Sequence, residues 1–243
     1  DQIPFFQQIK IVFSNKPFLF VIGIYLCSWL AVQLTASIIV YFVVSWMGLS
    51  NSDSPLLALA VQGTALIMLF AWQKVSLRLG KKAVYFIGTG IWMLAQIGFF
   101  LIQPGQVTLM YILAILAGFG VSVAYLIPWS MVPDVIELDE LNTGKRREGI
   151  FYGFMVLLQK FGLALGLFLV GIALKAAGFV ESVAGQPIPE QPESALLAIR
   201  IAISPLPAFF LLCGLVLAYF YPITQEVHGA IRLKLQARKD SDF

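Results

Sequence analysis

The chain has 243 residues, 59% of them hydrophobic and 12% charged, with a net charge of +3. A soluble domain is about 45–50% apolar and about 25% charged, so this composition excludes an aqueous globular fold and is that of an integral membrane protein. No basic stripe is interleaved with aromatics on a polar surface, so nothing points to a nucleic-acid partner.

The chain opens Asp1-Gln2-Ile3-Pro4, without Met or a signal pattern, and is expected to be the later part of a longer protein. Over Ile3–Lys16, Phe5, Phe6, Ile9, Val12 and Phe13 share one helical face, with Lys10 and Lys16 in the second half. This predicts an amphipathic helix lying along a membrane surface. Pro17 then suits the first turn of a new helix.

Six apolar segments follow, at about 18–47, 55–72, 83–102, 107–127, 149–174 and 195–221. Each is close to the roughly 20 residues that span a bilayer as a helix. Runs this long and unbroken exclude a transmembrane β-barrel, whose strands alternate over about ten residues. Trp46, Trp72 and Trp129 fall near span ends and are expected as interfacial anchors. Cys27 and Cys213 lie in apolar runs and read as small buried residues rather than a disulfide.

Thirteen of the sixteen Lys and Arg residues lie before span one, between spans two and three, between four and five, or after six. The positive-inside rule therefore puts both termini and the two charged loops in the cytoplasm. The segment 175–194, with Glu181, Glu190, Glu193, Pro187, Pro189 and Pro192, is expected as a mobile polar connector on the opposite side. After Pro222, Thr224 offers an N-cap, and Val227, Ile231 and Leu235 recur at helical spacing. This predicts an amphipathic tail helix on the cytoplasmic surface.

Two loops and one helix carry the candidate functional residues. Arg78, Lys81 and Lys82 surround Gly80 in a tight basic turn. It either pairs with a neighbouring helix end and holds one gating state, or is a plain positive-inside turn. After span four, Pro128 and Pro133 remove two backbone donors, so the helix is expected to break there, with Asp134 capping a new turn. Asp134, Glu137, Asp139 and Glu140 then face Lys145, Arg146 and Arg147, and Glu148 closes the run. Exposed pairs add at most about 1 kcal/mol each, but a network made in one conformation only biases a two-state equilibrium. The alternative is a solvated charged loop.

Lys160 is the sharper signal. It shares a helical face with Gly149, Gly153, Val156, Ala164, Leu167 and Gly171, and lies about eleven residues, roughly 17 Å, into its span. A lysine stem does not snorkel that far, so Lys160 is expected to point at protein or a water-filled cavity, as a substrate or coupling residue preceded by Gln159. Gln33 and Gln62, costlier than Ser or Thr to leave unpaired, are candidates for lining a pore. Trp29 lies deeper in span one and reads as packing, with stacking on a ligand as the alternative. His228, the one histidine, falls in the tail, which excludes a histidine relay or histidine metal site within the spans. No nucleophile–base pair or metal-ligand set is seen in this chain, so no enzyme is expected.

The run Pro128-Trp129-Ser130-Met131-Val132-Pro133-Asp134-Val135-Ile136-Glu137, followed by Gly144-Lys145-Arg146-Arg147-Glu148-Gly149-Ile150-Phe151-Tyr152-Gly153, resembles the glycoside–pentoside–hexuronide:cation symporters of the major facilitator superfamily. Asn15-Lys16-Pro17-Phe18 and Tyr221-Pro222-Ile223-Thr224-Gln225-Glu226-Val227-His228 resemble the same family. The resemblance implies an all-α membrane fold, the C-terminal half of a twelve-helix transporter. Residues 1–17 would end the central linker, 18–221 would form helices seven to twelve, and 222–243 the tail. It implies alternating-access symport with Na+ or H+, the main cation site lying in an N-terminal half that is not in this chain and would be its partner. Lys160 would serve cation coupling or meet an anionic head group. The substrate would be a sugar or glycoside, or alternatively a lysophospholipid, and the location a bacterial inner membrane. A self-associating six-helix protein without transport is the competing reading.

Overall fold

The structure, a computed structural model, describes residues 3–181 and 188–241. Pro187 of the acidic connector lies outside them. The regular structure among the described residues is helical: α1 (Phe5–Ser14), α2 (Lys16–Tyr41, extended by a π-turn over Phe42–Trp46), α3 (Asp53–Leu79), α4 (Lys81–Leu101), α5 (Val107–Thr143), α6 (Glu148–Ala176), α7 (Glu193–Ile203), α8 (Pro205–Phe220) and α9 (Gln225–Ser241). Six of these, with α7 and α8 together counted as one, are long and apolar enough to cross a membrane. The molecule is an all-α integral membrane protein.

Two expectations about helix ends are corrected. The predicted break at Pro128 does not occur: α5 is one 37-residue helix with Pro128 and Pro133 inside it. Asp134 therefore caps no new turn. Each proline deletes one backbone donor, but burial on both flanks of α5 holds the helical path. The prolines free the carbonyls of Ala124 and Trp129, and beside the second of these the Lys81 ammonium donates to the Ser130 carbonyl at 2.6 Å. Gly144, at φ 69°, ends α5 in the left-handed conformation that glycine adopts without penalty. The last span, in contrast, is not continuous. Pro205 and Pro207 remove two donors within three residues, Ser204 leaves helical geometry at φ −131°, ψ −76°, and the chain restarts as α8. The Ser204 hydroxyl donates to the Gln96 carbonyl on α4.

The helices form two layers. α3, α5, α2 and α6 lie side by side as a front layer, with α4 packed behind α5, and α8 behind α2. Glycines set the closeness of α4 and α5: a Cβ on Gly120 would lie 2.2 Å from the Trp92 Cβ and 2.7 Å from the Gly88 carbonyl oxygen. Such small-residue contacts let backbones approach where no hydrophobic drive acts between helices. At the end of the bundle away from the basic loops, the Arg200 guanidinium sits 4.5 Å from the Trp46 ring centroid and 4.7 Å from that of Phe100. It also donates to the Phe100 carbonyl at 2.6 Å. Trp46 Nε1 donates to the Ile102 carbonyl at 3.1 Å, and Trp72 Nε1 to the Phe119 carbonyl at 2.9 Å. The indole N–H groups of Trp46 and Trp72 thus bind backbone carbonyls of neighbouring helices.

Gly120→Ala should destabilise the bundle by about 1–3 kcal/mol, the usual cost of overpacking. Gly90→Ala, where an added Cβ meets nothing within 4 Å, should not. Thermal unfolding in detergent compares the two; equal midpoints would refute this account of the α4–α5 contact.

Candidate functional site

Tyr25 and Trp29 are one turn apart on α2, as Tyr125 and Trp129 are on α5, so each pair faces the same way. The two pairs interlock. Ring centroids are 6.0 Å apart for Tyr25–Trp29, 5.8 Å for Tyr25–Trp129 and 5.8 Å for Trp29–Tyr125. Tyr152 of α6 stacks on Trp129 at 6.2 Å. Polar contacts extend the cluster to both edges of the front layer. Gln62 of α3 donates to the Tyr125 hydroxyl at 3.2 Å, and Trp29 Nε1 donates to the Gln159 carbonyl of α6 at 3.0 Å. Four helices are tied together by one aromatic ladder.

The structure brings Trp29, Gln62 and Gln159 of the candidate residues into this ladder, Gln159 through its backbone. Gln33 is separate. It lies half-buried against α6, where a Cβ on Gly166 would meet the Gln33 Cβ at 2.9 Å. Lys160 is exposed and makes no hydrogen bond or ion pair with any described residue. Its helix packs on α2 through Phe151, Met155, Gly162, Gly166 and Val170, and Tyr152 marks the flank of α6 turned toward α5. At about 100° per residue, Gly153, Val156, Lys160 and Ala164 continue round that flank to the open front of the layer. Phe154, Phe161 and Phe168 occupy the other flank. The small-residue face around Lys160 is open among the described residues, and a Cβ on Gly149, Gly153 or Gly171 would meet nothing within 4 Å.

The charged residues gather at the basic end. Both Asp134 oxygens accept from Lys81, at 2.6 and 2.7 Å, and the Asp134 side chain is 6% exposed. Arg147 Nε donates to Asp139 at 2.9 Å. Arg146 bridges Glu140, at 2.9 Å, and Glu148, at 2.7 Å, and bonding to Glu148 pushes its proton affinity further up. Lys82 donates to the Tyr219 carbonyl and lies 5.5 Å from that ring. Arg78 is exposed with no such partner. Glu137 meets His228 of α9, whose place in the tail had suggested no site role; its Nε2 is 2.7 Å from the carboxylate. The available signal was spacing, since His228 lies three residues before Ile231 on the face that α9 turns to α5. Among the described residues no group of three or more His, Cys, Asp and Glu could hold a metal ion.

A family model described as MFS/sugar transport protein matches residues 1–225. An uncharacterized symporter of Synechocystis sp. is 68% identical over all of this chain and 44% of its own length. The sodium-dependent lysophosphatidylcholine symporter 1 of Xenopus tropicalis is 32% identical over 98% of this chain and 45% of its own length. A sphingosine-1-phosphate transporter of the same species is 28% identical over 96% of this chain and 44% of its own length. The chain spans a little under half the length of the curated relatives it matches.

Removing Lys81 takes both of its hydrogen bonds from a carboxylate that is almost wholly buried, a loss of up to about 3–5 kcal/mol in comparable pairs. Lys81→Met should therefore lower the unfolding midpoint more than the double variant Lys81→Met/Asp134→Asn does. Strictly additive losses in this cycle would refute the pairing.

Proposed function

The chain belongs to the MFS/sugar transport family, and from that premise we propose that it forms helices seven to twelve of a cation-coupled symporter working by alternating access. The basic end is then cytoplasmic, and the front layer of α3, α5, α2 and α6 faces the other six-helix half across a central cavity. Residues 1–17 end the linker between the halves, and residues 222–243 form the cytoplasmic tail. The observation that carries this reading is Lys160: an ammonium deep in a span with no partner among the described residues, on a small-residue face that none of them covers. A charge so placed needs an anionic partner, supplied by a substrate head group or by a carboxylate of the other half. The coupling ion is Na+ or H+, with its main site outside this chain.

The substrate class favoured is an amphiphile with a phosphate head group, such as a lysophospholipid. The front layer offers aromatic and aliphatic surface with few hydrogen-bonding side chains, Gln62 and Lys160 chief among them. That suits an acyl chain and one charged head better than a ring of sugar hydroxyls. Relatives named for lysophosphatidylcholine and sphingosine-1-phosphate agree with it. The sugar reading is supported by the family description and by the Trp29 and Tyr125 rings, since aromatic faces stack on sugars. In both, the ion pairs of Lys81–Asp134 and Arg147–Asp139 hold the outward-facing state closed on the cytoplasmic side.

Lys160→Ala in the membrane-reconstituted transporter should abolish cation-driven uptake. Losing a desolvated charge contact costs on the order of 2–5 kcal/mol, roughly 30-fold or more in affinity. Lys160→Arg should retain part of the activity, and unaltered uptake by Lys160→Ala would sink the assignment. Thermal shifts with lysophosphatidylcholine against a panel of glycosides separate the two substrate classes.

A further inference from the structure

His228 stands in the first turn of α9 and faces two carboxylates at once. Its Nε2 lies 2.7 Å from Glu137 Oε2 and 3.3 Å from Asp134 Oδ1. Those two acids are three residues apart on α5, hence on one face. Lys81 holds Asp134 from the other side. The cluster of one ammonium and two carboxylates carries one surplus negative charge, which a protonated imidazole cancels. The groups sit in or beside a cleft of about 1140 Å³ between the α3–α4 turn, α5 and α9. Lys82 from α4, and Glu226 and Arg232 from α9 itself, complete its charged lining; α3 contributes none. Tyr221 at the entry to α9 stays neutral, because burial pushes its phenol far above the ordinary tyrosine range.

Apolar docking of α9 is thin. Ile231 is its one buried side chain among the described residues, while Val227 and Leu233 are exposed. Arg238 passes over the end of α5, where a Cβ on Gly144 would lie 3.3 Å from its guanidinium. With so little apolar contact, the ionic contacts weigh heavily in whether α9 stays on α5.

We propose that His228 is a proton-operated bolt: its imidazolium bridges Asp134 and Glu137 and holds α9 against the end of α5, and loss of that proton releases the helix. Nε2 carries one N–H in either form, directed at Glu137; a neutral imidazole can keep that bond but leaves the surplus charge uncancelled and no longer attracts Asp134. The ionic bridge exists only with the imidazolium, which acid favours and alkali removes. The inference does not require the transport reading, and its test uses neither substrate nor coupling ion.

The test is a distance measurement by pulsed electron spin resonance in lipid nanodiscs. Cys27 and Cys213 are replaced by Ser, and labels are placed through Leu79→Cys and Leu233→Cys, both exposed sites. The expected result is a narrow distance distribution at about pH 5 that broadens and lengthens at about pH 8.5. His228→Gln should give the broad distribution at both values, and the permanently charged His228→Arg the narrow one. A distribution unchanged with pH, or a His228→Gln variant that keeps the full pH response, overturns the proposal.

Discussion

Asp134 is a carboxylate 4% exposed near the end of a long apolar helix. A buried charge without partners is too costly to keep, and three features of the basic end follow from satisfying it. Gly80 leaves helical geometry at φ 84°, turning the chain sharply enough for α4 to begin with Lys81. That lysine reaches the carboxylate and the Ser130 carbonyl together, which pins the start of α4 to α5. The residual negative charge, shared with Glu137, then attracts the tail through His228. Removing the carboxylate would leave Lys81 with a carbonyl alone and His228 with a single partner.

The six spans were legible because length and apolarity suffice to define them, and the turn at Gly80 because glycine between basic residues is a strong local signal. The helix breaks were misplaced for one reason. Proline deletes a donor wherever it occurs, but whether the helix stops depends on what surrounds it. Pro128 and Pro133 sit in a helix gripped on two sides, and a lysine from another helix serves a carbonyl there. Pro205 and Pro207 follow each other within three residues, and Ser204 finds an acceptor on α4. Neither environment is encoded locally. The tail shows the same limit. Its apolar spacing at Val227, Ile231 and Leu235 was visible, yet the partner of His228 is 91 residues earlier, and Val227 faces out.

The candidate site was half legible. Lys160 stood out because a charge in a span is rare, and its small-residue face could be read from spacing alone. The aromatic ladder could not: Tyr25, Trp29, Tyr125, Trp129 and Tyr152 come from three helices, and only packing brings them together. The contacts of Trp129 and Trp72 could not be read either, because sequence position reports depth and not the direction a helix face turns. Gln62 was noticed for the cost of an unpaired amide, and a tyrosine hydroxyl on α5 meets that cost.

The ladder and the ion pairs share α5. Trp129 precedes Asp134 by five residues, little more than one turn, and Pro128 and Pro133 bracket the interval. The stretch that bears the aromatic contacts is thus the one whose backbone has lost two rungs. Lys81 bonds within that stretch, at the Ser130 carbonyl, as well as to the acid beyond it. A displacement of α4 against α5 that parts Lys81 from Asp134 must therefore also withdraw a donor from the turn that follows Trp129. The two regions are joined by the bonds of one lysine at the start of α4 to two neighbouring turns of α5.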